Sequence, residues 1–121
     1  MGAEDFETQA KAETMATAFR LAQEDARYEY GHAGYTGTIA EKDGYLDCGT
    51  VPEFLELEHV LDVVMYWADE VPDNDNTKNV VGFYGAAKIQ AWRETYNDKW
   101  GSCLGFDMGN GLYRFFGIAS S

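Results

Sequence analysis

The fold of this chain is decided by its C-terminal stretch 104-LGFDMGNGLYRFFGI-118. Asn110-Gly111 is the favoured pair for a two-residue type I′ turn, and residues of strand character flank it on both sides. The stretch therefore predicts an antiparallel β-hairpin. A two-residue turn sets the register, so Asp107 should lie opposite Arg114 as an ion pair across the strands. The same register predicts one shared core face: Leu104, Phe106, Met108, Tyr113 and Phe115.

The N-terminal quarter of the chain predicts a long helix from Phe6 to Tyr30. Residues 6–30 are rich in Ala, contain neither Gly nor Pro, and have small or apolar residues at helical spacing. Gly31 follows as the expected left-handed helix stop. The predicted buried stripe consists of Ala12, Met15, Phe19, Ala22 and Ala26.

Residues 35–48 predict a second, shorter hairpin. Residues 35–40 have β-branched and aromatic character, which suits a strand. Asp43-Gly44 is a favoured hairpin turn, and residues 45–48 would form the return strand.

Two helices are predicted between the hairpins. The first begins with Thr50 as its cap, Pro52 in its first turn and Glu53 completing a capping box, and it ends near Asp69. The second is capped by Asn76 or Thr77. The expected buried stripe of the first is Phe54, Leu57, Leu61, Val64 and Ala68. That of the second is Val81, Gly85, Ile89, Trp92 and Tyr96.

Together these elements predict an α+β fold in one domain, residues 1–121. Three helices would pack on a small antiparallel sheet, in the order α-β-β-α-α-β-β. A chain of 121 residues is long enough to bury a core without disulfides or metals.

Negative charge is concentrated in the middle of the chain. The whole chain has 21 acidic and 9 basic residues, a net charge of −12. The 35 residues from Glu41 to Asp75 contain eleven acids and one base, which gives −10. Asp69 and Glu70 stand at the C-terminal end of a predicted helix, where acids oppose the helix dipole. This pattern indicates a surface for a basic partner and argues against binding to nucleic acid or to an anionic membrane.

Several other classes of protein are excluded or disfavoured. An aromatic content of 15% excludes a disordered acidic tail, and no apolar run is long enough to span a membrane. The N-terminus lacks the basic and apolar regions of a secretory signal, so we expect a cytoplasmic protein. Cys48 and Cys103 lack metal-ligand spacing, which favours reduced thiols.

No catalytic, cofactor or metal motif stands out in the sequence. Asp73, Asp75 and Thr77 alternate like the opening of a calcium loop. However, Lys78 stands where that loop needs Gly, and Tyr84 stands where it needs Glu. We therefore expect no metal, no cofactor and no enzymatic activity.

The run Gly31-His32-Ala33-Gly34-Tyr35-Thr36-Gly37-Thr38-Ile39-Ala40-Glu41-Lys42 resembles a segment of small uncharacterised acidic proteins of bacteriophages. The resemblance implies a phage product that acts in the cytoplasm of the host cell. Such products include inhibitors of host defence, among them anti-CRISPR and anti-restriction proteins, some of which mimic DNA.

The sequence thus favours a non-enzymatic protein that occupies a basic, nucleic-acid-binding surface of a host protein. Its carboxylates would stand in for phosphates, and Tyr66 and Trp67 would be apolar anchors. The sequence leaves open whether the protein forms a homodimer. The predicted partner-binding residues are Glu53, Glu56, Glu58, Asp62, Tyr66, Trp67, Asp69, Glu70, Asp73 and Asp75.

Two alternatives stay open. A binder or hydrolase of small molecules or nucleotides could use the Gly-rich segment His32–Glu41, with His32, Tyr35, Thr36 and Glu41 as its residues. The second alternative is a purely structural or oligomeric phage protein.

Overall fold

The computed structural model describes residues 2–31, 36–67, 71 and 73–120 of the chain. The chain divides into two compact units, residues 1–50 with 95–121, and residues 51–94. Its elements are β1 (Ala3–Lys11), α1 (Met15–Tyr30), a 3₁₀ helix (Ile39–Glu41), β2 (Tyr45–Thr50), α2 (Leu57–Tyr66), α3 (Asp75–Tyr84), α4 (Ala86–Asn97), β3 (Cys103–Gly109) and β4 (Leu112–Ser120).

The α+β class is confirmed, but the element order is wrong. Over the described residues there are four α-helices and four strands, in the order β-α-β-α-α-α-β-β. The single domain stays a prediction. None of the described helices is long and apolar enough to cross a membrane.

The first unit contains a four-stranded sheet with the strand order β1-β4-β3-β2. β4 pairs antiparallel with both β1 and β3, whereas β2 pairs parallel with β3. The sheet is therefore mixed, and the prediction of a purely antiparallel sheet is wrong.

The predicted helix over residues 6–30 is in fact a strand followed by a helix. In β1, Phe6, Thr8 and Ala10 are half-buried and alternate with exposed residues, a period of two. Thr14 caps α1, because its hydroxyl oxygen accepts a hydrogen bond from the Thr17 amide at 3.2 Å. The C-terminal stop is confirmed: Gly31 has a φ of 83° and donates to the Arg27 carbonyl.

The main core of the first unit lies between α1 and one face of the sheet. The helix buries Met15, Phe19, Ala22 and Ala26 as predicted, and also Ala18. The Phe19 ring lies 5.6 Å from that of Phe115, measured between centroids. Ala12, the remaining predicted member, lies outside the helix and packs against the edge of this cluster.

The C-terminal hairpin exists, but its register differs from the prediction beyond the turn. Asn110 and Gly111 both have positive φ, 55° and 77°, as a type I′ turn requires. Gly109 pairs with Leu112 as expected. The register then shifts between Gly109 and Asp107, and Asp107 pairs with Tyr113.

This shift separates residues that the sequence had placed on one face. Phe106 pairs with Arg114 and Gly105 pairs with Phe115, so Phe106 and Phe115 point to opposite faces. The predicted Asp107–Arg114 ion pair is absent. Instead, Arg114 forms an ion pair with Glu7, and Asp107 accepts a hydrogen bond from the Gly109 amide at 2.8 Å.

The second predicted hairpin is wrong. Ile39–Glu41 is a 3₁₀ helix, and β2 pairs with β3. The Thr36 and Thr38 hydroxyls bond to each other, the Thr36 hydroxyl also donates to the Glu41 carboxylate, and the Thr38 hydroxyl oxygen accepts from the Ala40 amide. Tyr35 lies outside the described residues.

The second unit is helical. α2 packs against α3 and buries Leu57, Val60, Val63 and Val64. The predicted third helix is divided in two at Gly85, which ends α3 with a φ of 87°. Of its predicted stripe, Ile89, Trp92 and Tyr96 are buried.

Candidate partner-binding surface

The candidate surface lies in the second unit and begins with the chain that leads into α2. The predicted start at Thr50 is wrong, because Thr50 is the last residue of β2. Residues 53–55 form a turn in which the Leu55 amide donates to the Pro52 carbonyl at 3.0 Å. α2 starts at Leu57, and its cap, Glu56, makes no side-chain capping bond. Glu53 and Phe54 therefore lie on a turn in front of the helix.

Every described acidic residue of the predicted site is exposed. Glu58 and Asp62 are four residues apart on α2, so they lie on the same side of the helix. Asp75 is in the first turn of α3, where its negative charge interacts favourably with the helix dipole. Asp69 and Glu70 lie outside the described residues. The exposed acids are Glu53, Glu56, Glu58, Asp62, Asp73 and Asp75.

His59 contacts residues at the starts of both helices. Its Nδ1 lies 3.8 Å from a carboxylate oxygen of Glu56, and its Nε2 lies 3.4 Å from Nδ2 of Asn76. Asn74 caps α3 by accepting a hydrogen bond from the Thr77 amide at 3.0 Å. These contacts hold the acidic start of α2 beside the acidic start of α3.

An exposed pair of aromatic rings belongs to the same unit. Phe54, predicted to be buried, is 64% exposed, and Phe83 is 51% exposed. Their rings meet edge to face with centroids 5.6 Å apart. Phe54 is exposed because it precedes α2 and so does not continue the buried face of that helix.

A chain of ring contacts connects this pair with the interior of the unit. Phe83 packs on Tyr84, and Tyr84 packs on Trp92, each at 4.8 Å between centroids. Trp92 is buried. The Phe83 ring therefore contacts Phe54 on the surface and Tyr84, which in turn packs on the buried Trp92.

The two predicted anchors differ in exposure. Tyr66 is 46% exposed at the end of α2. Trp67 is half-buried, and its carbonyl accepts a hydrogen bond from Arg93. Trp67 therefore offers less ring surface to a partner than Phe54 or Phe83.

The sequence pattern did not indicate that Phe54 and Phe83 are surface residues. Phe54 fits the helical spacing of Leu57, Leu61 and Val64, and this fit concealed its position before the helix. Phe83 could have been found from Gly82 and Gly85, which flank it closely and mark the end of a helix.

The residues of the alternative site are described only in part. His32 and Tyr35 lie outside the described residues. One carboxylate oxygen of Glu41 accepts hydrogen bonds from the Thr36 amide at 3.2 Å and from the Thr36 hydroxyl at 2.7 Å. These hydrogen bonds connect the two ends of the segment 36–41.

Within the described ranges, no group of three or more His, Cys, Asp or Glu side chains is placed to hold a metal ion. Comparisons of the chain with protein-family models, with curated proteins and with solved structures found no match.

Proposed function

We propose that this protein is a non-enzymatic binding protein that occupies a basic surface of a larger protein. The observation that carries the proposal is the exposed Phe54–Phe83 pair in a unit whose described acids point to solvent. The proposed setting is the cytoplasm of a bacterial host, where the protein would inhibit a nucleic-acid-binding defence factor, as an anti-CRISPR protein does.

The aromatic pair supplies the apolar part of the interface. Interface hot spots are enriched in large side chains that lie in the dry centre of a polar rim. Two adjacent phenylalanine rings, each more than half exposed, gain little by facing water. Burying both rings in a partner would stabilise the complex through apolar area.

The carboxylates supply the rim and attract the partner. Residues 51–94 contain nine acids and three bases, a net charge of −6. One of the three bases, Arg93, donates to the Trp67 carbonyl. Clustered charge of one sign speeds encounter with a surface of the opposite sign and repels wrong partners.

A nucleic-acid-binding protein is the partner class that fits this chemistry. Such proteins present arrays of Lys and Arg that neutralise phosphates. Carboxylates at Glu53, Glu58 and Asp62 would take the positions of phosphates on that array. Duplex DNA should therefore compete with this protein for the partner.

The proposal is tested by affinity capture from a bacterial lysate, followed by elution with duplex DNA. The immobilised parent protein should retain proteins that the DNA releases. The double variant Phe54→Ala/Phe83→Ala should retain at least tenfold less, since loss of two central anchors costs more than 1.4 kcal/mol. Retention that DNA does not reverse would contradict the nucleic-acid-binding partner.

A matched pair of charge variants completes the test. Glu53→Gln/Glu58→Gln/Asp62→Asn removes three exposed acids of the second unit. Glu13→Gln/Glu24→Gln/Asp43→Asn removes three exposed acids of the first unit. The first variant should lose the partner and the second should keep it. Equal retention by both would show that the surface lies elsewhere.

A further inference from the structure

A cavity of about 620 Å³ opens in the first unit, whereas the surface just described belongs to the second unit. It is lined by β1, by the C-terminal half of α1 and by the segment Thr36–Ile39. Its size falls within the range of small-molecule binding sites, which is about 300–1,000 Å³. β1 is an edge strand of the sheet.

The inner part of the cavity is apolar, with hydroxyl groups beside it. Ala22, Ala26 and Ile39 are buried there, and Phe6 is half-buried. These side chains can pack against an alkyl or aromatic group. The threonines that line the cavity are Thr8, Thr36 and Thr38.

The charged residues that line the cavity are all acidic among the described residues. The alternation along β1 places Glu4 on the same side as Phe6 and Thr8, which is the side that faces α1. Asp5 and Glu7 lie on the opposite side, and Glu7 is paired with Arg114. The carboxylates available to a ligand are therefore those of Glu4, Asp25 and Glu29.

Two tyrosines complete the cavity at the end of α1. Tyr28 is 93% exposed and Tyr30 is also exposed. The faces of aromatic rings attract cations. Carboxylates and aromatic faces together favour a positively charged ligand and disfavour a phosphate.

Hydrogen bonds fix one wall of the cavity in place. The Gly37 amide donates to the Ser120 carbonyl at 2.8 Å, and the Thr36 and Thr38 hydroxyls lie 2.8 Å apart. Gln23 donates to the carbonyls of Ile39 and Lys42 at 3.2 and 2.8 Å. A Cβ at Gly37 would collide with the Glu4 side chain. A preformed wall lowers the ordering cost of binding a ligand.

We propose that this cavity binds an organic cation, an ammonium or guanidinium group carried on an alkyl chain. The charged group would lie among Glu4, Asp25 and Glu29, against the tyrosine rings. The chain would pack on Phe6, Ala22 and Ala26. Such a cation is found both in free polyamines and in the Lys and Arg side chains of peptides. The site is distinct from the Phe54–Phe83 surface, so either proposal can fail alone.

The test is a titration followed by NMR, with 1,5-diaminopentane as the probe and 1,5-pentanediol as its uncharged equivalent. The diamine should give saturable shifts in the amides of Thr36, Gly37 and Thr38, and the diol should give none. MgCl₂ at matched ionic strength serves as the control for a point charge. Shifts of equal size with the diol or with Mg²⁺ would overturn the proposal, as would no saturable shift with the diamine.

Two charge variants locate the binding. Asp25→Asn/Glu29→Gln should weaken diamine binding about tenfold, since two carboxylates that would pair with the ammonium group are removed. Glu13→Gln/Glu24→Gln removes two exposed acids that do not line the cavity and should bind like the parent. Equal loss in both variants would overturn the proposal. Tighter binding of acetyl-Gly-Arg-Gly-amide than of the diamine would identify a peptide side chain as the source, and weaker binding a free cation.

Discussion

The side chain of Lys42 is buried, and only 4% of the residue is exposed. Its ammonium donates to the backbone carbonyl of Asp98 at 2.7 Å, which ties the 3₁₀ segment to the loop before β3. Burial lowers the pKa of Lys42 from its ordinary value of 10.5, and the nearby Cys103, Asp98 and Asp43 offset this only in part. Lys42 is therefore a structural residue despite lying in the most acidic part of the sequence.

Cys103 is fully buried near Lys42, at the start of β3. Burial raises the pKa of its thiol from 9.0 to about 12, because a thiolate would lose its hydration there. The positive charge of Lys42 acts in the opposite direction and only reduces the shift. The sequence prediction of a reduced thiol at this position stays a prediction.

Cys103 should make the protein less stable as the pH rises from about 9 to 12. In that range the unfolded chain releases the thiol proton while the folded chain keeps it, so unfolding becomes more favourable. The loss is at most about 1.4 kcal/mol per pH unit. Urea denaturation at several pH values should show a steeper fall for the parent than for Cys103→Ala.

Lys42 provides an internal check on the sign of this effect. Because the pKa of Lys42 is lowered, Lys42 contributes to the pH dependence of stability only below pH 10.5. In that range its contribution makes the free energy of unfolding increase with pH. The fall in the parent's stability should therefore be clearest above that value, where the opposing contribution of Lys42 no longer changes with pH. Parallel curves for the two proteins would show that the thiol ionises as easily in the folded protein as in the unfolded chain.

Among the elements of the fold, β3 contributes buried residues to both faces of the sheet. Cys103 and Gly105 face α1, whereas Leu104 and Phe106 are fully buried on the other face. A Cβ at Gly105 would come within 2.8 Å of the Met15 sulfur. A side chain at this position would displace the Met15 thioether and the Phe115 ring, so glycine permits their close packing on β3.

Phe106→Ala should cost about 3–5 kcal/mol of unfolding free energy, because it leaves a cavity in a packed core. Phe54→Ala is the matched control, since it removes the same side chain from an exposed turn. We expect the control to lose less than about 1 kcal/mol. Thermal melts of the two variants give the comparison. Equal losses would mean that the burial assigned to these two rings is wrong.

The sequence was informative wherever local residues determine structure. The Asn110-Gly111 turn, the Gly31 stop and most of the α1 stripe follow from spacing and turn chemistry alone. β1 was missed because its Ala content continues that of α1, and only its pairing with distant β4 makes it a strand. The parallel pairing of β2 with β3 is likewise non-local.

The hairpin register failed for a local reason with a large consequence. Asp107 bonds to the Gly109 amide, and the register shift beside it moves every residue towards Cys103 by one position. Arg114 then pairs with Glu7 on β1 instead of with Asp107. For the candidate surface, exposure of the acids was predictable from composition, but exposure of Phe54 depended on where α2 begins.

At the scale of the whole molecule, the negative charge is divided between the two units. The acidic window of residues 41–75 crosses the boundary at residues 50 and 51. By sequence, each unit carries a net charge of −6. The second unit combines this charge with the exposed Phe54–Phe83 pair, whose two rings are in contact with each other.

In the proposed function, the second unit's acidic surface binds a basic partner with electrostatic steering. The most direct measurement is the association rate constant with the captured partner between about 0.05 and 0.5 M salt, a range over which the Debye length falls to a few ångströms. The parent rate should fall by an order of magnitude or more, whereas Glu53→Gln/Glu58→Gln/Asp62→Asn should start lower and change little. Equal, salt-independent rates for the two proteins would contradict the claim and leave the charge a role in solubility alone.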